Sequence, residues 1–542
     1  MTGVWVTRLL VAAVLVAGLV MDAVIASPGL PDPVEQPNAL RAGSTVCAAL
    51  STAGEGGTDV LTLTGPVPQL LEGEDTSAEL ATAADGEVVA RSQVPVGVAA
   101  VPVTPDLASP LLSLRWRTTP VVLGRSWRAP AVGDAVGGLV QGSCPEEADD
   151  RWFVPGVATA GGASARLHLA NPFDGTATAR VSFTTPAGRL EPTRLQNVVV
   201  PARSVVELDL GDFAPEEPDL GVVVELDVGR VVVEAVQTLS PTIGGVEGTS
   251  LVSAQRSASD VWTVPHVQVS DDTTSWLWVT NPGDVPADVR LTLQTEDGPL
   301  VPPEGGVVVG PGTTQRVDLG AVLPGGAPVG VTLRSSADAP VVVSGATVSG
   351  GDDPARSGVA ITSALPGEGS GRVQAQVGAL EGDGRSVQLH VVNPTTDPAS
   401  FDVVVVTADG PVREPSLQGV QLPAGGRTLL PLAALVAGSP VHAVLLEPTE
   451  GAVAGVLLSS NGGNGPLDLV LSTLRPLPGV DDATALRGVP DPDLLARSGT
   501  RYGIAPGQAT DDPGVSPGDA PQDDPVADDD PVPQDDGATG GG

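Results

Sequence analysis

Residues 166–172 read RLHLANP, residues 276–282 read WLWVTNP, and residues 388–394 read QLHVVNP. Each has the alternation of a strand and stops at Asn-Pro, where proline donates no backbone hydrogen bond and restricts the residue before it. From Asn171, Asn281 and Asn393 the same landmarks recur at fixed offsets. Seventeen residues on come Gly188, Gly298 and Gly410, closing TPAG, TEDG and TADG turns. Thirty residues on come Pro201, Pro311 and Pro423, and sixty residues on come Val231, Val341 and Val453 within VVVEAV, VVVSGA and AVAGVL.

The copies also open alike. Trp152-Phe153-Val154-Pro155 corresponds to Trp262-Thr263-Val264-Pro265, while the fourth copy, at RVQAQVG (372–378), has no tryptophan. ALSTAGEGGTDVLTLTGP (49–66) aligns with VATAGGASARLHLANP (157–172), which adds a divergent first copy. Internal repetition of this kind decides the architecture before any element is assigned. The period is about 110 residues, with room for seven or eight short strands separated by Gly, Pro and Asp-Gly turns. That size and rhythm predict an all-β chain of four tandem immunoglobulin-like β-sandwich repeats, rich in valine because β-branched side chains fit a pleated surface.

The predicted divisions are an apolar signal or anchor over 1–30, a linker over 31–44, repeats over 45–148, 149–258, 259–369 and 370–476, and a linker with an acidic tail over 477–542. The junctions SASD (257–260) and PGEGSG (366–371) fit both an in-line and a folded arrangement of the repeats. Strung end to end, four such units would span on the order of 130 Å.

Composition narrows the function classes. The chain holds 68 Gly and 53 Pro in 542 residues, carries a formal charge of −38, and takes all its basic side chains from Arg. That charge argues against nucleic-acid binding and against docking on an anionic lipid surface. Much of the excess lies in the tail, where Asp511, Asp512, Asp519, Asp523, Asp524, Asp528, Asp529, Asp530, Asp535 and Asp536 face no basic residue. Low hydrophobicity and self-repulsion predict disorder over 505–542.

LLVAAVLVAGLVMDAVIA (9–26), preceded by Arg8, reads as an N-terminal apolar helix, either a cleaved export signal or a retained anchor in the N-in, C-out orientation. The folded repeats are then extracytoplasmic. Cys47 and Cys144 are the two cysteines and bracket the first repeat, so one disulfide is expected in an oxidising compartment.

A search for catalytic chemistry finds little. The four histidines are His168, His266, His390 and His442. His168 and His390 share a repeat position with Trp278, which suits a large surface or interface side chain better than a catalytic base. The G-x-S-x-G match over 514–518 lies in the acidic tail, without the strand and helix of a nucleophile elbow. No catalytic residue, metal site or cofactor is predicted.

Aromatic residues offer two candidate surfaces. Arg115, Trp116, Arg117, Arg125, Trp127 and Arg128 would give the first repeat a basic, aromatic edge, and Arg and Trp are enriched at interface hot spots. Trp276 and Trp278, two apart on one strand, would share a face, which reads first as core packing beside a junction between repeats and otherwise as a sugar-stacking platform or an interdomain contact.

The N-terminal apolar run, the cysteine frame, the SCPEEADDRWFVPG junction (143–156) and the Asn-Pro repeats together resemble an actinobacterial family of secreted or membrane-anchored proteins of unknown function. The resemblance covers about residues 40–475. It implies a cell-envelope role, since members are thought to be encoded near a large membrane glycosyltransferase. It transfers no functional residue. The expected function is a non-catalytic spacer, scaffold or adaptor whose partner is another envelope protein or a glycan, with the membrane engaged through an uncleaved N-terminal segment. A glycan-binding module array is the alternative, and an unrecognised hydrolase is the third reading.

Overall fold

The computed structural model describes strands between residues 43 and 128, then residues 139–476 apart from 146–147, 246, 324, 351–357, 381–384, 408–409, 433–440 and 462–468. The N-terminal apolar run and the acidic tail lie outside the described residues. Among the described residues no helix is long and apolar enough to cross a membrane. Among the described residues one short α-helix, Pro241–Gly244, and three 3-10 turns, Thr193–Leu195, Leu210–Asp212 and Pro415–Leu417, interrupt the strands.

Repeat 1 supplies eight strands: Gly43–Ala48, Asp59–Thr64, Ser77–Ala84, Glu87–Pro95, Ala99–Val103, Leu111–Trp116, Val122–Arg128 and Leu139–Ser143. They form two four-stranded sheets, with order first-sixth-third-fourth and fifth-second-seventh-eighth. The same two orders recur in repeats 2, 3 and 4. In those three repeats the fourth strand is split in two, as Gly188–Leu190 and Val198–Val200 are in repeat 2. In repeats 2, 3 and 4 side chains from both sheets meet in a core. In repeat 4, for example, Leu389 and Leu457 of one sheet pack with Phe401, Val405 and Leu446 of the other.

The two-sheet layering follows the sequence expectation, but the strand order departs from the immunoglobulin one. There the first strand neighbours the second. Here the first strand pairs with the sixth, and the second lies between the fifth and seventh.

The recurring landmarks turn out to be one hydrogen-bonding scheme. Asn171, fully buried at the end of the second strand, donates through Nδ2 to the carbonyls of Gly175 at 2.8 Å, Val200 at 3.1 Å and Pro201 at 3.0 Å, while its Oδ1 accepts from Phe173 N at 3.0 Å. Asn393 likewise donates to Asp397 O and Pro423 O. In repeat 3 the acceptors for Asn281 are Val285 O and Val309 O, the latter two residues before Pro311. Gly188 and Gly298 sit at φ 128° and 115°, which permits the tight turn between the third and fourth strands. Val231, Val341 and Val453 form isolated bridges to Asp149, Ser259 and Ser370 at the head of each repeat. Their carbonyls also receive the indole N–H of Trp152 at 2.8 Å, that of Trp262 at 2.7 Å, and the side-chain amide of Gln374 at 2.7 Å. Gln374 thus replaces the tryptophan missing from the fourth copy, donating the same bond with a smaller side chain.

The repeats are folded on one another. The first strand of repeat 2, Arg151–Val157, lies across the second and seventh strands of repeat 3, Thr273–Asn281 and Val342–Ser349. The same relation joins repeat 1 to 2 and repeat 3 to 4. It also joins repeat 4 to repeat 1, where Gln374–Leu380 contacts Asp59–Thr64 and Val122–Arg128. The eighth strands, Leu139–Ser143, Gly248–Ser253, Gly358–Ser363 and Val470–Thr473, touch in the same cyclic order, with the last against the first. A string about 130 Å long is therefore excluded by the contact between the terminal repeats.

Candidate functional site

The structure redistributes both aromatic surfaces expected from sequence. Arg115 and Trp116 end the sixth strand of repeat 1, which lies between the first and third strands of its sheet. Trp127 and Arg128 end the seventh strand, which lies between the second and eighth strands of the other sheet. Arg117 falls outside the described residues. The five described residues therefore share no sheet edge, because the two strands that carry them are interior and belong to different sheets. Arg125 is buried. Its Nη2 donates to Glu234 Oε1 of repeat 2 at 2.7 Å, with side-chain exposures of 9% and 2%. A charged pair this far from water marks a contact between repeats, since an isolated buried charge is costly.

Trp276 and Trp278 are 0% exposed, so neither offers a face to a sugar. The rings meet edge to face at 5.5 Å and pack with Trp152, Val154 and Leu220 of repeat 2, which makes them the interdomain contact. Trp278 fits because the residue opposite is Gly156. Its indole N–H donates to Asp219 Oδ1 at 2.8 Å, and the guanidinium of Arg316 stacks 3.9 Å from the Trp276 ring centre. Burial raises the Asp219 carboxyl above its ordinary range, partly offset by the Trp278 bond and by Arg316. Burial lowers Arg316, and Asp219 and Asp318 act in the opposite direction.

Sequence reasoning missed a second contact of the same design. His266 stands in repeat 3 where Gly156 stands in repeat 2, and His390 stands in repeat 4 where Trp278 stands in repeat 3. Between these repeats His266 Nδ1 and His390 Nδ1 lie 3.2 Å apart, with the rings edge to face at 5.1 Å. One imidazole donates and the other accepts, so the accepting ring must be neutral. Burial pushes His266 down to about 4, with nearby Arg427 adding to the effect. It holds His390 well below the ordinary histidine range, with His266 and then Arg427 as further causes. Arg427 is itself paired across the contact with Glu296 at 2.9 Å.

His168, the third residue at this position, accompanies Glu207 on the neighbouring strand at 3.2 Å, and that bond lowers the Glu207 carboxyl. The signal for these contacts lay in the aligned repeats: glycine opposite tryptophan, and histidine opposite histidine. It becomes readable only once the first strand of one repeat is known to cross the second strand of the next.

Cys47 and Cys144 are joined, with Cα atoms 5.1 Å apart and 97 positions apart in sequence. The bond ties the first strand of repeat 1, which faces repeat 2, to the residue after its eighth strand. Among the described residues no group of three or more His, Cys, Asp or Glu is arranged to hold a metal ion.

The geometry so assembled is a set of interlocked repeat contacts. A comparison with curated proteins finds no similar sequence. Among solved structures, one reported as "Crystal Structure of Thermotoga maritima 1070" is 22% identical, with 21% of this chain and 98% of that chain covered at a TM-score of 0.19. The sequence profile of a family of unknown function, DUF5719, matches residues 121–377 and 374–466, more than half of the chain. With repeats 2 and 3 and most of repeat 4 covered by this match, the chain belongs to the family of unknown function DUF5719.

Proposed function

We propose that the protein is a non-catalytic scaffold or adaptor of the cell envelope, displayed outside the cytoplasm and either tethered or released by its N-terminal segment. The cyclic order of contacts, with repeat 4 against repeat 1, is the observation that carries this reading. Four immunoglobulin-like sandwiches, alike in size and layering though not in strand order, then act as one docking body, and the role of extended spacer drops out. Buried contacts between repeats, such as Trp278 against Gly156, favour a fixed presentation of loops over independent modules. The Cys47–Cys144 bond fits an oxidising compartment. A glycan-binding array loses its tryptophan platform with the burial of Trp276 and Trp278.

The test combines surface protease treatment of intact cells with cross-linking mass spectrometry on the native envelope and a glycan array probed with the full chain. Surface cleavage, an oxidised cysteine pair and reproducible cross-links to one envelope protein are expected. Free thiols in a protease-protected protein, or selective retention by a glycan, would overturn the reading.

A further inference from the structure

Four groups converge where repeat 3 meets repeat 4. His266 comes from the first strand of repeat 3, Val261–Val267, and His390 from the second strand of repeat 4, Arg385–Val392. Arg427 opens the fifth strand of repeat 4, Arg427–Pro431, and Glu296 lies in the turn after the third strand of repeat 3, Ala287–Thr295. His266 and His390 are 2% and 0% exposed, and the Arg427 side chain is 6% exposed. The imidazoles share a hydrogen bond whose accepting ring must be neutral, while His390 Nε2 is buried with no hydrogen-bond partner in the structure. Arg427 is the cation that acts on both rings, and its charge is met by Glu296 across the same contact.

We propose that the contact between repeats 3 and 4 is an acid-sensitive latch, closed by the neutral His266–His390 pair and released when either imidazole takes up a proton. A proton added to the accepting nitrogen makes two N–H groups face each other, and one added to the other nitrogen of the donor ring keeps the bond but leaves a cation in the buried contact. Either proton places a second cation near Arg427 in a site from which water is excluded. Glu296 is already engaged and cannot neutralise both.

The sign follows from linkage. The unfolded chain binds a proton at these histidines near pH 6.5, whereas the folded one holds His266 unprotonated down to about pH 4. The stabilisation is therefore complete above pH 6.5 and is lost progressively as the pH falls towards 4. For His266 alone the unfolding or opening constant should rise on the order of 100-fold across that window.

The experiment measures hydrogen exchange at the imidazole C2 positions and at the backbone amides of the full chain between pH 7.5 and 4. The expected result is titration of His266 and His390 well below pH 6, with amide protection in 261–267 and 385–392 falling as they titrate. The variant His266→Gln/His390→Gln should keep that protection flat with pH, and His168→Gln should leave the wild-type profile unchanged. Should the double variant fail to fold, the wild-type titration still decides. Midpoints near 6.5, acid-independent protection at this contact, or the same acid response in a folded double variant would overturn the proposal.

Discussion

Trp278 of repeat 3 occupies the space where a side chain at Gly156 of repeat 2 would stand: a Cβ built on Gly156 falls 2.2 Å from Trp278 Cγ. The two residues lie 122 positions apart in sequence yet fix each other's identity. Gly156→Ala should destabilise the protein by about 1–3 kcal/mol through overpacking. Trp278→Ala should cost about 3–5 kcal/mol as a large buried side chain is removed. In the Trp278→Ala background the alanine at 156 should cost far less, because the clashing ring is gone. A double-mutant cycle in urea checks the coupling, and additive losses would show that the two residues do not share one site.

The Asn-Pro motif serves packing and not only strand termination. Asn281→Ala removes two side-chain donors and the Oδ1 that accepts from Gly283 N at 3.0 Å, all in a fully buried place. A loss of about 2–3 kcal/mol is expected in equilibrium unfolding, since buried partners are left without their bonds. Asn171→Ala and Asn393→Ala should behave alike, and a loss near zero at all three would refute the shared role.

At the head of the fourth repeat, Gln374 both donates to Val453 O and accepts from Gly455 N at 3.3 Å. Gln374→Ala should cost about 1 kcal/mol, the net worth of such bonding when Val453 O still accepts from Ser370 N. Trp262→Ala should cost about 3–5 kcal/mol, because the indole also fills the core of repeat 3. Thermal melts of the two variants side by side test the ordering.

Reduction should act on repeat 1 first. Replacing Cys47 and Cys144 with Ser frees a loop of nearly one hundred residues and should remove about 2–5 kcal/mol. Limited proteolysis should then cut between residues 49 and 138 before it cuts repeats 2 to 4. Cleavage that starts instead in repeat 3 would place the weak point elsewhere.

The sequence by itself determined the β class, the number of copies and their period. Alternation, turn glycines and Asn-Pro stops are local consequences of backbone chemistry and leave their mark within each copy. Even Val231, Val341 and Val453 stood out at their offset, although the reason, a carbonyl that receives Trp152, Trp262 or Gln374, needed the fold. The strand order and the way the repeats meet were decided only by tertiary structure. Trp276 and Trp278 left core packing beside a junction, an interdomain contact and a sugar platform open, because alternation tells which residues share a face but not what covers that face. Arg115, Trp116, Trp127 and Arg128 read as one edge because nearness in sequence was taken for nearness in space, whereas the chain passes from one sheet to the other between them. The identity of a residue such as Gly156 or His266 is set by a neighbour more than one hundred positions away, and no local pattern records which partner that will be.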